Sequence, residues 1–483
     1  PLPPPAAPPE PVARAPEQWP GEDGRISWNR WTDEFWQQAR QWDRPVLLYL
    51  ATPGGDGTFA RGGVALEQLV QQDFAAVRVD PWHRPDLARR FGAGGWPALA
   101  LLLPDGRRFA GAVDVPPANI RMFLWRLREG FEKRRKQIVE SVERHQRALP
   151  APLFTLDVEA VFAAALAAHD RIDGGFGSAP KFCEPSVLAF LLEYGYQRDQ
   201  PRAIEIVHHA LDQLLASPMM HDGGVAAFSR TPDWATPAGE FDAADQAGLM
   251  RVLVRAAAHA ERFAVPVRAL VGFVERELYR SGEHRFVGRR VAHPPAAGTG
   301  WWSDPAVYAD RNARLVRACL AAASLLADRT AAAMAVKVGE QLLARCLSPA
   351  GGVRHLCGAE DGLVGLLQDQ VLVALAFRDL YRATGDARFD EAARRAKVYM
   401  EKHLYDREQR HFRETPAGMP AAYADGLLPA GNALAAILLL EVGEVDRARA
   451  LLSGRRLRQA PTRRHATAAL ALLRAGSSVR ESR

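Results

Sequence analysis

Cysteine is scarce in this chain, and the few present are scattered. Cys183, Cys319, Cys346 and Cys357 form no Cys-x-x-Cys pair and stand beside no paired-histidine spacing. No zinc knot and no dithiol centre can therefore be read from neighbours in sequence. The expectation is free, buried thiols, since Cys319 lies in an Ala/Leu-rich helical stretch and Cys346 at the end of another. Long apolar runs are lacking too. No stretch reaches eighteen apolar residues, which excludes a membrane-spanning helix within this sequence. A strong charge imbalance is also missing: 62 Lys and Arg face 56 Asp and Glu. Part of the small basic excess is the run from Arg455 to Arg464. No basic helix with interleaved aromatics accompanies it, so a solvated basic face is expected and nucleic acid is not expected as a partner. No cofactor and no metal are expected.

What is present points to two domains. A length of 483 residues exceeds one ordinary core, and a hydrophobic fraction of 48% suffices to build two. The organising stretch is Asp173-Gly174-Gly175-Phe176-Gly177-Ser178-Ala179-Pro180-Lys181-Phe182, where glycines and a proline stop a helix and force a turn. An α/β pattern precedes it; helix after helix follows. Related turns return at Asp222-Gly223-Gly224-Val225, Gly282 to Phe286, Gly351-Gly352-Val353-Arg354 and Tyr405 to Phe412. A turn returning roughly every fifty to seventy residues marks a stacked repeat, here two helices and a short hairpin-like loop.

Residues 1–27 read as an extended Pro/Ala-rich linker. The chain opens on Pro1-Leu2-Pro3-Pro4-Pro5 without methionine, which reads as the product of signal or anchor cleavage, on the periplasmic side of a membrane; a cytoplasmic location is the alternative. Residues 28–148 read as an α/β domain. Its elements are a helix over Trp31–Trp42, a strand Val46–Leu50, a helix Leu66–Gln72, a strand Ala75–Val79, a helical turn Arg84–Phe91 and a strand Ala98–Leu103. A turn at Pro104-Asp105-Gly106, a strand Arg108–Ala112 and a long amphipathic helix from Asn119 complete it.

Residues 153–475 read as twelve helices, with 476–483 as a C-terminal tail. The helices are expected at Leu156–His169, Pro185–Gln197, Arg202–Ala216, Ala243–Phe263, Val265–Tyr279, Pro305–Ala327, Thr330–Ala344, Leu363–Thr384, Ala387–His403, Pro429–Val442, Val445–Leu452 and Thr462–Arg474. Six antiparallel pairs fit an all-α (α/α)6 six-hairpin toroid.

The order of elements in the first domain, with Pro97 before its third strand, resembles the thioredoxin fold. Asp80, Arg84-Pro85-Asp86-Leu87, Gly94-Gly95-Trp96-Pro97 and Pro104-Asp105-Gly106 make the resemblance specific. Together with Asp173–Phe182, Trp234 to Gln246, Asp310 to Leu315 and Pro429 to Ala433, they resemble the family of bacterial YyaL-type and animal spermatogenesis-associated thioredoxin-like proteins. In that family a thioredoxin-like domain is fused to a helical toroid. The resemblance implies a cis bond at Trp96-Pro97 and a Cys-His-Trp-Cys-His motif after the first strand. This chain has Gly55-Asp56-Gly57-Thr58 there, so the redox loop, with Pro97 beside it, is expected to be inert.

In the toroid the family's Trp-x-x-Pro-His-Phe-Glu-Lys becomes Trp234 to Phe241, with Ala238 for His and Phe241 for Lys. Its Asp-Trp-Asn-Gly-Leu-Met becomes Asp310-Arg311-Asn312-Ala313-Arg314-Leu315. These losses favour a non-catalytic binding or scaffold protein, an accessory subunit held by a protein partner in a membrane-bound assembly. The alternative is a carbohydrate-active enzyme of the toroid, an isomerase of the sugar 2-epimerase kind or a glycoside hydrolase. Its acid–base candidates are Glu240, Asp245, Asp310 and Asp369, because glycoside hydrolysis needs two opposed carboxylates. Trp234, Trp301, Trp302, Gln246 and Asn312 are the ligand-binding candidates. His221, His284, His293 and His355 lie in or beside loops without a matching acid and are assigned no role. Two carboxylates, or a histidine and an acid, converging on a deep open pocket at the toroid mouth would favour the enzyme; a mouth filled by the chain's own loops or by a partner would favour the scaffold.

Overall fold

The computed structural model describes residues 26–52, 59, 62–92, 95, 97–147, 154–292, 300–358, 363–416, 425, 430–453, 456–457 and 460–480. Gly55, Asp56, Gly57, Thr58, Trp96 and His293 lie outside these residues, as does most of the expected linker. The described residues form two compact units, one within residues 26–147 and one within residues 154–480. No described helix is long and apolar enough to cross a membrane.

The first unit follows the α/β order expected from periodicity. Thr32 caps α1 (Asp33–Trp42) by accepting a hydrogen bond from the Phe35 amide. Then come β1 (Val46–Leu50), α2 (Gly63–Asp73), β2 (Ala75–Val79), α3 (Pro85–Phe91), β3 (Ala98–Leu102), β4 (Arg108–Val113) and α4 (Pro117–Arg147). The strand order is β2-β1-β3-β4; β1 and β2 are parallel, and β3 runs antiparallel to both its neighbours. β1 is buried on both faces, which explains its unbroken apolar run. Val46, Leu48 and Leu50 meet Phe35 and Ala39 of α1 and Leu87 and Phe91 of α3. Leu47 and Tyr49 meet Leu66 and Val70 of α2 and Ile120 and Leu124 of α4 on the other face. The sheet is thus sandwiched between two helical layers.

The second unit holds twelve α-helices among its described residues: α5 (Val158–Ala168), α6 (Pro185–Gln197), α7 (Pro201–Ala216), α8 (Ala243–Ala257), α9 (Ala264–Phe273), α10 (Ala309–Leu326), α11 (Arg329–Gln341), α12 (Leu367–Thr384), α13 (Ala387–His403), α14 (Gly431–Glu441), α15 (Val445–Leu452) and α16 (Ala466–Arg480). The even-numbered helices pack in sequence on one another, and α16 closes back on α6. Five odd-numbered helices pack outside the inner helix preceding them, and α5 packs on α16. The result is a closed (α/α)6 toroid.

Where boundaries differ from expectation, loop contacts decide. Helices expected from Pro305 and Leu363 begin at Ala309 and Leu367. The Ala309 amide donates to the His355 carbonyl and the Leu367 amide to the Glu414 carbonyl, so the preceding residues stay extended. α9 and α11 end in wide π-type turns, and α16 runs past its expected end at Arg474.

The organising stretch explains itself in packing. Gly174 and Gly175 take φ of +67° and +70°, and a Cβ on Gly175 would lie 2.6 Å from Trp234 Cζ2. Lys181 is fully buried; its ammonium donates to Asp170 Oδ2 at 2.8 Å and to the Pro232 carbonyl at 2.7 Å, over the Trp234 ring. Cys346 and Cys357, expected as free thiols, form a disulfide instead. Leu347 pairs with Val353, folding the chain back so that the two Cα atoms stand 4.6 Å apart. Cys183 and Cys319 are free and buried, as expected.

Candidate functional site

The four inner helices α8, α10, α12 and α14 share one device near their N-termini. An amide side chain there binds the backbone of the hairpin loop that precedes it. Gln246 Oε1 accepts from the Val225 amide at 2.8 Å, and its Nε2 donates to the carbonyls of Val225 and Asp242. Asn312 does the same for Phe286, with its remaining N–H on the Tyr308 carbonyl. Gln370 accepts from the Val353 amide and donates to the Gly351 and Ala396 carbonyls. Asn432 brackets Phe412. These clamps fix the loops over the ends of the inner helices. Gln246 and Asn312, expected to bind a ligand, spend their N–H groups on backbone and serve the hairpins. Trp234 is likewise buried, its indole N–H donating to the Asp173 carbonyl at 2.8 Å; it packs the loop and offers no stacking face.

With the loops fixed, the helix N-termini carry a dense polar cluster. Asp242 caps α8, Asp245 lies in its first turn, and Asp310 and Asp369 lie in the first turns of α10 and α12. Carboxylates suit these ends, where exposed N–H groups and the helix dipole favour negative charge. Asp310 Oδ2 accepts from Gln368 Nε2 at 2.9 Å, and its Oδ1 faces Arg311 Nη1 at 3.3 Å. Arg311 also holds Asp242 at 3.2 Å and lies over the Tyr308 ring. His355 Nδ1 stands 2.9 Å from Asp369 Oδ2. One donor atom from each of Asp310, His355 and Asp369 lies within 4.8 Å of the others.

The environments push these carboxyls apart. Burial would raise Asp310, but the charges of Arg311, His355 and Arg314 outweigh it and hold the group below the usual carboxylate range. Burial raises Asp369; His355 opposes this, and the Asp310 charge adds to it. Asp369 Oδ1 is buried with no hydrogen-bond partner among the described residues. Burial also pushes half-buried Asp245 well up, with Asp242 and Glu240 adding like charge. One carboxyl pushed down beside carboxyls pushed up by burial is the pattern of acid–base pairs.

Of the expected site residues, Asp310 and Asp369 are brought together. Asp245 stands within electrostatic reach of Asp242, Glu240, Arg311 and Arg314. Glu240 opens a three-stranded sheet with Arg289–Ala292 and Trp301–Ser303, facing Arg289 at 3.7 Å. Trp301 is 39% exposed, with the Arg290 guanidinium over its ring, and Trp302 lies under Arg289. Trp301 is thus exposed beside the sheet, while an arginine covers a face of each tryptophan. His355, assigned no role from sequence, is the correction that matters most. Its partner acid lies across a loop, on α12, where local spacing cannot show it. His221 and His284 stay outside the cluster, beside Asp222 and Tyr279.

A closed six-hairpin ring with polar chemistry gathered at its inner-helix N-termini places this unit among the (α/α)6 toroids. Comparison with known proteins agrees. The chain is similar in fold to a D-mannose isomerase, with a TM-score of 0.52 and 10% identity over 66% of this chain and 96% of that one. It is homologous to human spermatogenesis-associated protein 20, 25% identical over 306 residues, which are 53% of this chain and 38% of that protein. An uncharacterised Caenorhabditis elegans protein is 24% identical over 226 residues, 41% of this chain and 31% of its own. The chain thus spans well under half the length of these relatives. No family model matches it.

Proposed function

We propose that the toroid is a carbohydrate-active enzyme, an isomerase or a glycoside hydrolase. The observation that carries this is the convergence of Asp310, His355 and Asp369 on two adjacent inner helices and the loop between them. Proton transfer from a positioned group is what both reactions require. Asp310 takes the base role, Asp369 and His355 share and return a proton, and Asp245 on α8, its carboxyl pushed up by burial and like charge, is a further acid within electrostatic reach of Arg311 and Arg314. The fold likeness to a D-mannose isomerase supports a sugar as substrate. This reading displaces the non-catalytic accessory subunit. That reading rested on lost motifs, whereas α10 carries two arginines, Arg311 and Arg314, beside the carboxyl cluster where the family pattern has Trp and Leu. The test is a panel of reducing sugars and glycosides at millimolar concentration, followed by proton NMR of the anomeric region. Conversion of at least one sugar is expected; no conversion of any would contradict the reading.

For the first unit we propose a thioredoxin-like domain without thiol chemistry. The strand order, with its antiparallel third strand and helices on both faces, supports the fold. The first cysteine of the chain is Cys183, so nothing in this unit can form a thiolate. Insulin reduction by dithiothreitol is expected to run at the uncatalysed rate with the protein present. Acceleration would overturn this assignment. The Cys346–Cys357 disulfide supports an extracytoplasmic setting, because oxidising compartments preserve such bonds.

A further inference from the structure

Three arginines follow one another along α10, and two of them are committed. Arg311 is held by Asp242 and Asp310, and Arg317 donates to Asp379 at 2.7 Å. Arg314, between them, has Nε and Nη2 buried with no hydrogen-bond partner among the described residues. Leaving buried donors of a charged group unpaired is costly, so their persistence calls for an occupant.

The neighbouring carboxyls do not supply one. Asp242, Asp245, Asp310 and Asp425 all lie within electrostatic reach of this guanidinium. Asp242 accepts from the Ala244 amide and from Arg311. Asp310 is bound to Gln368 and Arg311. Asp425 accepts from the Ala430 amide and from the amide and hydroxyl of Thr467. Arg314 is only partly buried as a residue, as are Asp245 and Asp425.

We propose that Arg314 is the anchor for an anionic group, a carboxylate or a phosphate, on the sugar bound in the toroid mouth. A guanidinium presents two parallel N–H donors that match two oxygens of either anion. The substrate class becomes a uronate or a sugar phosphate rather than a neutral hexose. This rests on the toroid mouth being a sugar site, but its test reads binding and not turnover.

The experiment is calorimetric titration of the full chain with glucuronate, glucose 6-phosphate and neutral glucose, repeated on Arg314→Met and Arg314→Lys. At least one anionic sugar is expected to bind, with glucose much weaker. Losing a charge-assisted pair should weaken binding roughly 10- to 100-fold in Arg314→Met. Arg314→Lys, which keeps the charge and loses the fork, should fall between and keeps the test valid if the Met variant does not fold. Preference for glucuronate assigns a carboxylate ligand, and preference for glucose 6-phosphate a phosphate ligand. Equal binding of glucose, binding unchanged in both variants, or no binding of any of the three overturns the proposal. Anion binding without turnover would retain this anchor and remove the catalytic reading. Turnover of neutral sugars unaffected by the variants would do the reverse.

Discussion

Arg311→Met is expected to lower stability by about 3–5 kcal/mol at neutral pH, because it strips the counter-charge from two buried carboxylates at once. Arg311 is nearly inaccessible and ties Asp242 at the cap of α8 to Asp310 in the first turn of α10. Methionine fills much of the same volume, so the loss is one of charge pairing more than of packing. The effect should depend on pH with a defined sign. Asp310 is held below the usual range in the folded protein. It therefore adds stability at pH values above the unfolded carboxylate value of about 4, and that contribution is lost as pH falls through the folded value. Without Arg311, burial is less opposed and favours protonation. The variant's deficit should thus be small in acid and grow towards pH 7.5. Urea unfolding at pH 3 and pH 7.5 measures it; a deficit under about 1 kcal/mol at pH 7.5, or one equal at both values, would contradict this role.

The second large effect is expected from Gln370→Leu, at about 2–4 kcal/mol, since one side chain satisfies three buried backbone groups and leucine satisfies none. The loss should be local before it is global. The Val353 amide, now bound by Gln370 Oε1, should exchange with deuterium far faster in the variant, while amides in α6 should not change. Retained protection at Val353 would mean that the hairpin holds itself and that the clamp adds little.

Much of the architecture was legible because it depends on local patterns. The strand Val46–Leu50 and the helices Pro185–Gln197, Ala387–His403 and Val445–Leu452 appear with their expected bounds. Their starts and stops are written in proline, glycine and apolar spacing. Asp310 and Asp369 were legible as acids at helix starts. What could not be read locally is anything set by the ring's closure. His355 meets Asp369 only because a loop folds over α12, and the Cys346–Cys357 disulfide forms only because Leu347 pairs with Val353. Gln246 and Asn312 looked like ligand groups because a polar residue at a helix start has the same signature whether it faces a sugar or a backbone. The repeat held a clue. Gln246, Asn312, Gln370 and Asn432 recur with the spacing of the hairpin turns, as a structural device must and a binding residue need not. The lost histidine and lysine of the family pattern suggested an emptied site, but His355 from a loop and Arg314 from α10 bring other polar groups to it.

Turnover of a converted sugar by the wild type and by Asp310→Asn, with thermal unfolding of both, tests the central claim most directly. The amide keeps the shape and the bond from Gln368 can be accepted by its carbonyl, while the negative charge is removed. We expect the rate to fall by on the order of 10²–10⁴-fold, as loss of a general base does, with the folded state preserved. An Asp310→Asn protein that is folded and as active as the wild type would contradict the account.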